Sequence, residues 1–286
     1  MKYFCFRFDV DTYRCIKKGV PNLIGLSEKL GVSFTFFINM GKGTSRRIYL
    51  KKKFSRIFEP PGEIVHKLSN TKKLGIFDYL ATVLFNPQVG SSALKIIESL
   101  HRSGQEVGLH GGSNHAEWQY DGPKWPEEKI RLEVSNALER LTNGLPERPV
   151  GFSSPGWQGS TKLYNILELL GFEYVADAHG DHLEDIAPAA PSKSLFQVPT
   201  NILGEPGGVG YLENLRARGM ERGKILDHFR KKLENKNMAV VYDHPCFAGI
   251  QELPLVEEMV HIARSLGFHL TTLKDIVRKK RGRLVS

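Results

Sequence analysis

Two carboxylates stand two residues apart near the start of the chain, Asp9 and Asp11 in the stretch FRFDVDT. In an extended strand, positions i and i+2 share a face, with Cα atoms roughly 6–7 Å apart. Two unpaired acids at that separation repel and raise one pKa, and a cation beside them removes the conflict. Taken alone, an Asp-x-Asp after a strand more often caps the turn that follows. The stretch GLHGGSNH changes that balance, because it places His110 and His115 after another short apolar run. Its glycines let the loop fold tightly enough to turn both imidazoles to one point. Two histidines and one carboxylate make a catalytic metal set with open positions, suited to Zn2+, with Co2+, Mn2+ or Fe2+ as substitutes. A third cluster, VVYDHPCF, carries Asp243 and His244. A histidine at a strand end is a natural general acid near neutral pH, although alone it is as often bonded to a loop carbonyl.

The elements around these groups must bring them together. Strands are expected at Tyr3–Phe8, Val32–Ile38, Glu106–Leu109, Val150–Phe152, Tyr174–Ala176, Phe196–Val198, Ala239–Tyr242 and Phe268–Leu270. Helical patterns fall between them, at Val20–Leu30, Leu94–Arg102, Pro126–Leu141, Lys162–Leu170, Arg222–Asn235 and Leu255–Leu266. Such alternation means a parallel sheet covered by helices, and this many units suggest a β/α barrel, with an open doubly wound sheet as second choice. The candidate groups then gather at strand C-termini, the end on which such barrels carry their chemistry. Residues 41–90 break the alternation and read as an insertion after the second strand, within a single domain spanning 1–286.

Composition narrows the class. The chain has 286 residues, 41% of them hydrophobic, enough for one sizeable core. No apolar run reaches the roughly 18 residues of a membrane span. The start, MKYFCFRFDVD, turns acidic too early for a signal peptide. Three cysteines (Cys5, Cys15 and Cys246) without CxxC spacing point to a reducing compartment, so a cytoplasmic location is expected. The formal net charge of +9 suits an anionic partner. Lys42 to Arg56 holds seven basic residues and no acid; Lys274 to Arg283 holds six against one Asp. A charge run is usually a solvated face. The first run, however, is interleaved with Ile48, Tyr49, Leu50, Phe54, Ile57 and Phe58, which favours a helix on an anionic membrane surface over residues 42–58. No stacking-aromatic platform or nucleic-acid motif appears, so a nucleic-acid partner is not expected.

At its chemical clusters the chain resembles the polysaccharide deacetylase family, also called the NodB-homology or carbohydrate esterase 4 domain. The matching pieces are FRFDVD, GLHGGSNH, SSPGW, YVADAHGD and VVYDHP, in that order over nearly the whole chain. The resemblance implies an incomplete (β/α) barrel, a distorted β/α7 fold of NodB type, and one metal ion that serves to remove acyl groups from the nitrogen of sugars. A closer similarity is to the branch that deformylates undecaprenyl-phosphate-linked formamido-arabinose. It rests on RFDVDTYRCIKKGVPNLI, FFINMGK with a basic insertion, and EVGLH…HAEWQ. It implies a lipid-linked amino-sugar substrate at the cytoplasmic membrane face.

Position by position, the resemblance makes Asp9 the catalytic base and Asp11, His110 and His115 the metal ligands. His244 becomes the general acid and Asp177 the carboxylate that orients it, while Pro155, Gly156 and Trp157 line the substrate groove. Three departures stand out. The histidines are five apart rather than four, with Asn114 at the usual place. Ser153 or Ser154 replaces the arginine that holds the base, leaving Arg7 or Arg14 to substitute. His179 and Asp181 lie near Asp177 and compete for its role. The rival readings are a deacetylase of other N-acetylated glycans or small amides, and a non-catalytic protein of the membrane surface.

Overall fold

Strand β1 (Lys2–Val10) is buried at every residue from Tyr3 onward. Its alternation sorts the side chains into two layers. Phe4, Phe6, Phe8 and Val10 join the larger core, where Phe6 and Phe8 stack at 5.6 Å. Tyr3 and Cys5 belong to the smaller core on the opposite face. Arg7 and Asp9 continue that second row, so it turns polar at the strand's C-terminal end.

The computed structural model describes residues 1–48, 66–69, 82, 84–190, 194–205 and 208–285. Parallel pairing links β1 to β2 (Thr35–Ile38), β3 (Glu106–His110), β4 (Gly151–Ser153) and β5 (Tyr174–His179) in that order. A two-residue strand β6 (Ala187–Pro188) runs antiparallel to β7 (Phe196–Thr200), which pairs parallel with β5. On the other side of β1 lies β8 (Met238–Asp243), in register from Tyr3↔Met238 to Phe8↔Asp243. The short β9 (Phe268–Leu270) pairs with the first residues of β1. Past β7, Ile202 N–H donates to Val240 O at 3.0 Å and Tyr242 N–H donates to Ile202 O at 2.9 Å. This slender bridge brings the far edge against β8; the alternation implied a β/α barrel, and the sheet is the incomplete form of it that the resemblance implied.

Helices cover the outside: α1 (Val20–Leu30), α2 (Leu94–Arg102), α3 (His115–Asp121), α4 (Glu127–Thr142), α5 (Thr161–Leu169), α6 (Tyr211–Ala217), α7 (Arg222–Leu233), α8 (Pro245–Ala248), α9 (Leu253–Ser265) and α10 (Leu273–Val285). Three of these, α3, α6 and α8, are too short for a periodic signal and were not expected. The second basic run is helical because Leu273, Ile276 and Val277 recur at helix spacing and are buried. On it, Arg278 pairs with Glu173 at 3.1 Å and Lys279 lies 5.1 Å from the Tyr3 ring, at the N-terminal ends of the strands. Of the insertion expected over 41–90, residues 49–65, 70–81 and 83 lie outside the described residues. The membrane-surface stretch 42–58 is thus described only over 42–48.

Candidate active site

The C-terminal end of β1 delivers two acids with different surroundings. Asp9 is 1% exposed and is gripped by Arg7, Nε to Oδ1 at 3.1 Å and Nη2 to Oδ2 at 3.0 Å. The guanidinium also donates to Ala176 O at 2.5 Å, to Thr200 Oγ1 at 3.0 Å and to Ser153 Oγ. Of the two arginines the sequence allowed, Arg7 therefore meets Asp9. It reaches there from inside β1 itself, and the small Ser153, standing where the resemblance expected an arginine, accepts its bond. Burial works against the Arg7 charge, but Asp9 outweighs it and holds the guanidinium pKa above its usual value. A charged residue two places before Asp9 in an otherwise apolar strand was the available signal for this pair.

Asp11 lies one residue past β1, and its carbonyl accepts a 3.3 Å bond from Asn39 Nδ2. Around its carboxylate stand His110 Nε2 at 3.2 Å from Oδ1, His115 Nε2 at 3.4 Å from Oδ2 and His244 Nε2 at 3.1 Å from Oδ2. The residues predicted as ligands and as general acid thus meet at one carboxylate. Asn114 explains the five-residue histidine spacing. Its Oδ1 caps α3 by accepting the Glu117 N–H at 3.1 Å, and its Nδ2 donates to Thr44 O at 3.1 Å. The residue at the usual ligand place is a helix cap, and His115 follows as the first helical residue.

The donor set fits a divalent ion. His110 Nδ1 lies 2.9 Å from Ser153 O, and a carbonyl can only accept, so Nδ1 carries the proton. In the neutral ring Nε2 then presents a lone pair toward Asp11 Oδ1, a buried oxygen that receives no hydrogen bond of acceptable geometry. Two lone pairs facing across 3.2 Å call for a positive charge between them, a proton on Nε2 or a metal ion. The ligand atoms of Asp11, His110 and His115 lie within 4.8 Å of one another. Donors about 2.1 Å from one shared ion would be spaced in this way.

The local field separates these groups. Burial pushes Asp11 up, yet His115, His244 and His110 together hold its pKa well below the carboxylate range. Burial takes His115 down to about 4, assisted by His110 and His244 against Asp11. His110 goes the other way: burial lowers it, but Asp9 and Asp11 raise it further.

His244 follows β8, at the start of α8. Its Nε2 is 3.0 Å from the buried Tyr242 hydroxyl, and its Nδ1 is 3.8 Å from Glu213 Oε2. Asp177, which the resemblance assigned to this histidine, instead accepts the Ser154 N–H at 2.7 Å and the Ser154 Oγ–H at 2.6 Å. Among the described contacts, Glu213 is the carboxylate that faces Nδ1 of His244. It sits on α6, in a stretch with no motif to announce it. The competing residues lie elsewhere: His179 packs against the Trp157 ring at 4.8 Å, and Asp181 pairs with Lys236.

A pocket of about 210 Å³ joins these groups. Gly156 and Trp157, which the resemblance assigned to the substrate groove, are among its lining residues, while Pro155 is buried beneath Gly111. Gly156 has φ +66, and a Cβ there would lie 2.5 Å from Gln119 Cγ, so only glycine admits Gln119 to the wall. Trp157 itself has φ 56, an uncommon conformation for a bulky side chain. Its ring is held by Arg7 at 4.7 Å and Tyr242 at 5.2 Å. Gln119, Lys67, Tyr242 and Glu213 are wall residues that sequence reasoning did not find.

Comparison with known proteins shows what the chain is similar to. A protein from Shewanella sediminis (strain HAW-EB3), named as a probable 4-deoxy-4-formamido-L-arabinose-phosphoundecaprenol deformylase ArnD, is 25% identical over 183 residues, 62% of this chain and 57% of that protein. A protein of the same name from Wigglesworthia glossinidia brevipalpis is 22% identical over 267 residues, 92% of this chain and 89% of its own. The matched region thus spans just over half of the first relative and most of the second. In fold, a crystal structure assigned as a polysaccharide deacetylase from Mycobacterium smegmatis superposes with TM-score 0.68 at 17% identity, covering 98% of this chain and 90% of that one. A probable polysaccharide deacetylase from Pseudomonas aeruginosa PAO1 gives 0.64 at 14% identity, covering 96% and 89%. The polysaccharide deacetylase family profile matches residues 2–175, from β1 to β5. The chain belongs to the polysaccharide deacetylase family.

Proposed function

We propose that this protein is a metal-dependent amide hydrolase that removes a formyl or acetyl group from the nitrogen of an amino sugar. The substrate in this reading is a lipid-phosphate-linked sugar, presented at the cytoplasmic face of the membrane. The observation that carries it is the convergence of Asp11, His110 and His115 beside an Asp9 that Arg7 grips, with His244 Nε2 at 3.1 Å from the same Asp11 carboxylate.

Asp11, His110 and His115 would hold the ion, most suitably Zn2+. When bound, it supplies a Lewis acid that polarises the acyl carbonyl and acidifies water. Asp9 takes the proton from the attacking water, its carboxylate fixed in the plane of the Arg7 fork. Ser153 O holds the Nδ1 proton of His110, which would leave Nε2 to ligate the ion. His244 donates a proton to the departing nitrogen, and Glu213 near its Nδ1 supports the charged ring. Trp157 and Gln119 enclose the acyl group and limit access of bulk water.

The names of the two relatives support a formyl group and a lipid carrier. Among the described residues no helix is long and apolar enough to cross a membrane. Contact with the anionic leaflet is assigned to residues 42–58, where each basic residue contributes about 1 kcal/mol near the surface. The decisive measurement is formate against acetate release from N-acylated lipid-linked amino sugars, together with elemental analysis of the purified protein. Formate release with one bound ion per chain is expected. Acetate release alone transfers the protein to the deacetylase reading, and turnover without bound metal refutes the mechanism. Vesicle sedimentation reads the membrane step: equal binding to neutral and anionic vesicles excludes it.

A further inference from the structure

Residues 66–69 belong to the insertion, yet Lys67 and Leu68 line the catalytic pocket. The segment is tied down by Asn214, a side chain only 1% exposed, whose Nδ2 donates to His66 O at 2.8 Å and to Glu205 O at 2.9 Å. Asn214 adjoins Glu213 on α6, so the helix that faces His244 also anchors this piece of the insertion.

Lys67 is the sole lysine or arginine among the described residues that line the pocket. Of the acids that line the pocket, Asp9 is paired with Arg7 and Asp11 lies among three histidines, while Glu213 Oε2 stands 3.8 Å from His244 Nδ1. Among the described residues none forms an ion pair with Lys67. An ammonium on the pocket wall with no such ion pair among the described residues is placed to meet an anion brought by the substrate.

We infer that Lys67 forms a phosphate-recognising subsite, so that the amino sugar is bound together with a phosphate ester a few ångströms from the scissile amide. Phosphate suits a compact ammonium on a flexible stem, whereas a planar carboxylate is better matched by an arginine fork. This rests on the amide-hydrolase reading and specifies its substrate. The phosphate belongs either to a free sugar phosphate or to a phosphodiester carrying a lipid.

The test measures calorimetric binding of three probes to the zinc-loaded full chain: N-formylglucosamine, its 1-phosphate and its 1-(octyl phosphate). The wild type is expected to bind both phosphates about tenfold more tightly than the neutral sugar. Lys67→Met erases that preference without weakening the neutral sugar, and Lys67→Arg retains most of it. An octyl ester that binds more tightly than the monoester by the same factor in wild type and Lys67→Met places the lipid chain beyond the Lys67 contact and supports the subsite. A preference that survives Lys67→Met assigns the phosphate to the metal and overturns the proposal. No preference in the wild type, or no binding of any probe, overturns it too. Formate release is followed separately. Preference without turnover refutes the hydrolase reading and leaves the subsite standing, whereas turnover without preference does the reverse.

Discussion

Arg7 and Asp9 form a bidentate ion pair of which both members are almost wholly buried, 0% and 1% exposed. Neither charge can be hydrated if the other is removed, so each depends on its partner for solvation. The further bonds from Arg7 to Ala176 and Thr200 tie β1 to β5 and β7 across the barrel interior. Arg7→Met is therefore expected to cost about 3–5 kcal/mol in urea denaturation. In what remains folded, kcat should fall about a hundredfold while zinc content by elemental analysis stays near that of the wild type. Loss of the metal in this variant would show that the guanidinium shapes the ligand set rather than the base.

Asp9 and Asp11, two residues apart, should separate cleanly by experiment. Asp9→Asn is expected to keep its metal and to lose at least about a thousandfold in kcat, within the range for a removed general base. Asp11→Ala, His110→Ala and His115→Ala are expected to lose both metal and turnover. Activity retained by Asp9→Asn would refute this division of labour.

Glu213 and Asp177 make competing claims on His244. With Glu213 Oε2 at 3.8 Å from Nδ1 and Asp177 bonded to Ser154, Glu213→Gln should lower kcat about tenfold and leave KM unchanged. Asp177→Asn should instead act on the turn at Ser154, seen as a lower midpoint in thermal melting with kcat within about twofold. The opposite pattern would return the orienting role to Asp177.

Asp243 predicts a pH effect. Its carboxylate accepts the Leu212 N–H at 2.7 Å and the His244 N–H at 2.8 Å, but burial outweighs these and raises its pKa from the ordinary 3.8 to about 6. Between those values the folded protein keeps a proton that the unfolded chain has released. This group therefore makes unfolding free energy fall as pH rises from about 4 to about 6, by at most about 3 kcal/mol, with the loss complete above. The difference in urea midpoint between wild type and Asp243→Asn should vary across that window and be flat above pH about 7. A constant difference at all pH values would show that Asp243 titrates normally.

Much of the architecture was legible in local pattern. Strand–helix alternation pointed to the parallel β/α barrel because burial on both faces of an inner strand and on one face of a helix leaves period-specific traces, whereas its incompleteness was implied only by the family resemblance. Asp9, Asp11, His110 and His244 were visible for the same reason, as polar residues where apolar runs stop. Helix α10 was read only as a basic run because six basic residues obscured a short apolar stripe at Leu273, Ile276 and Val277.

The sequence by itself determined which residue types stand at the strand ends, since that follows from neighbours along the chain. Only the tertiary structure decided how they are partnered. It set Arg7 rather than Arg14 against Asp9, made Asn114 a helix cap instead of a ligand, faced His244 with Glu213 and turned Asp177 to Ser154. It also brought Lys67 of the insertion to the pocket through Asn214, 148 positions from His66. Such contacts are set by the curl of the sheet and by the room that Ser153 and Gly156 leave open. Hydrophobic periodicity records which way a side chain points, but carries no information on which distant side chain it will meet.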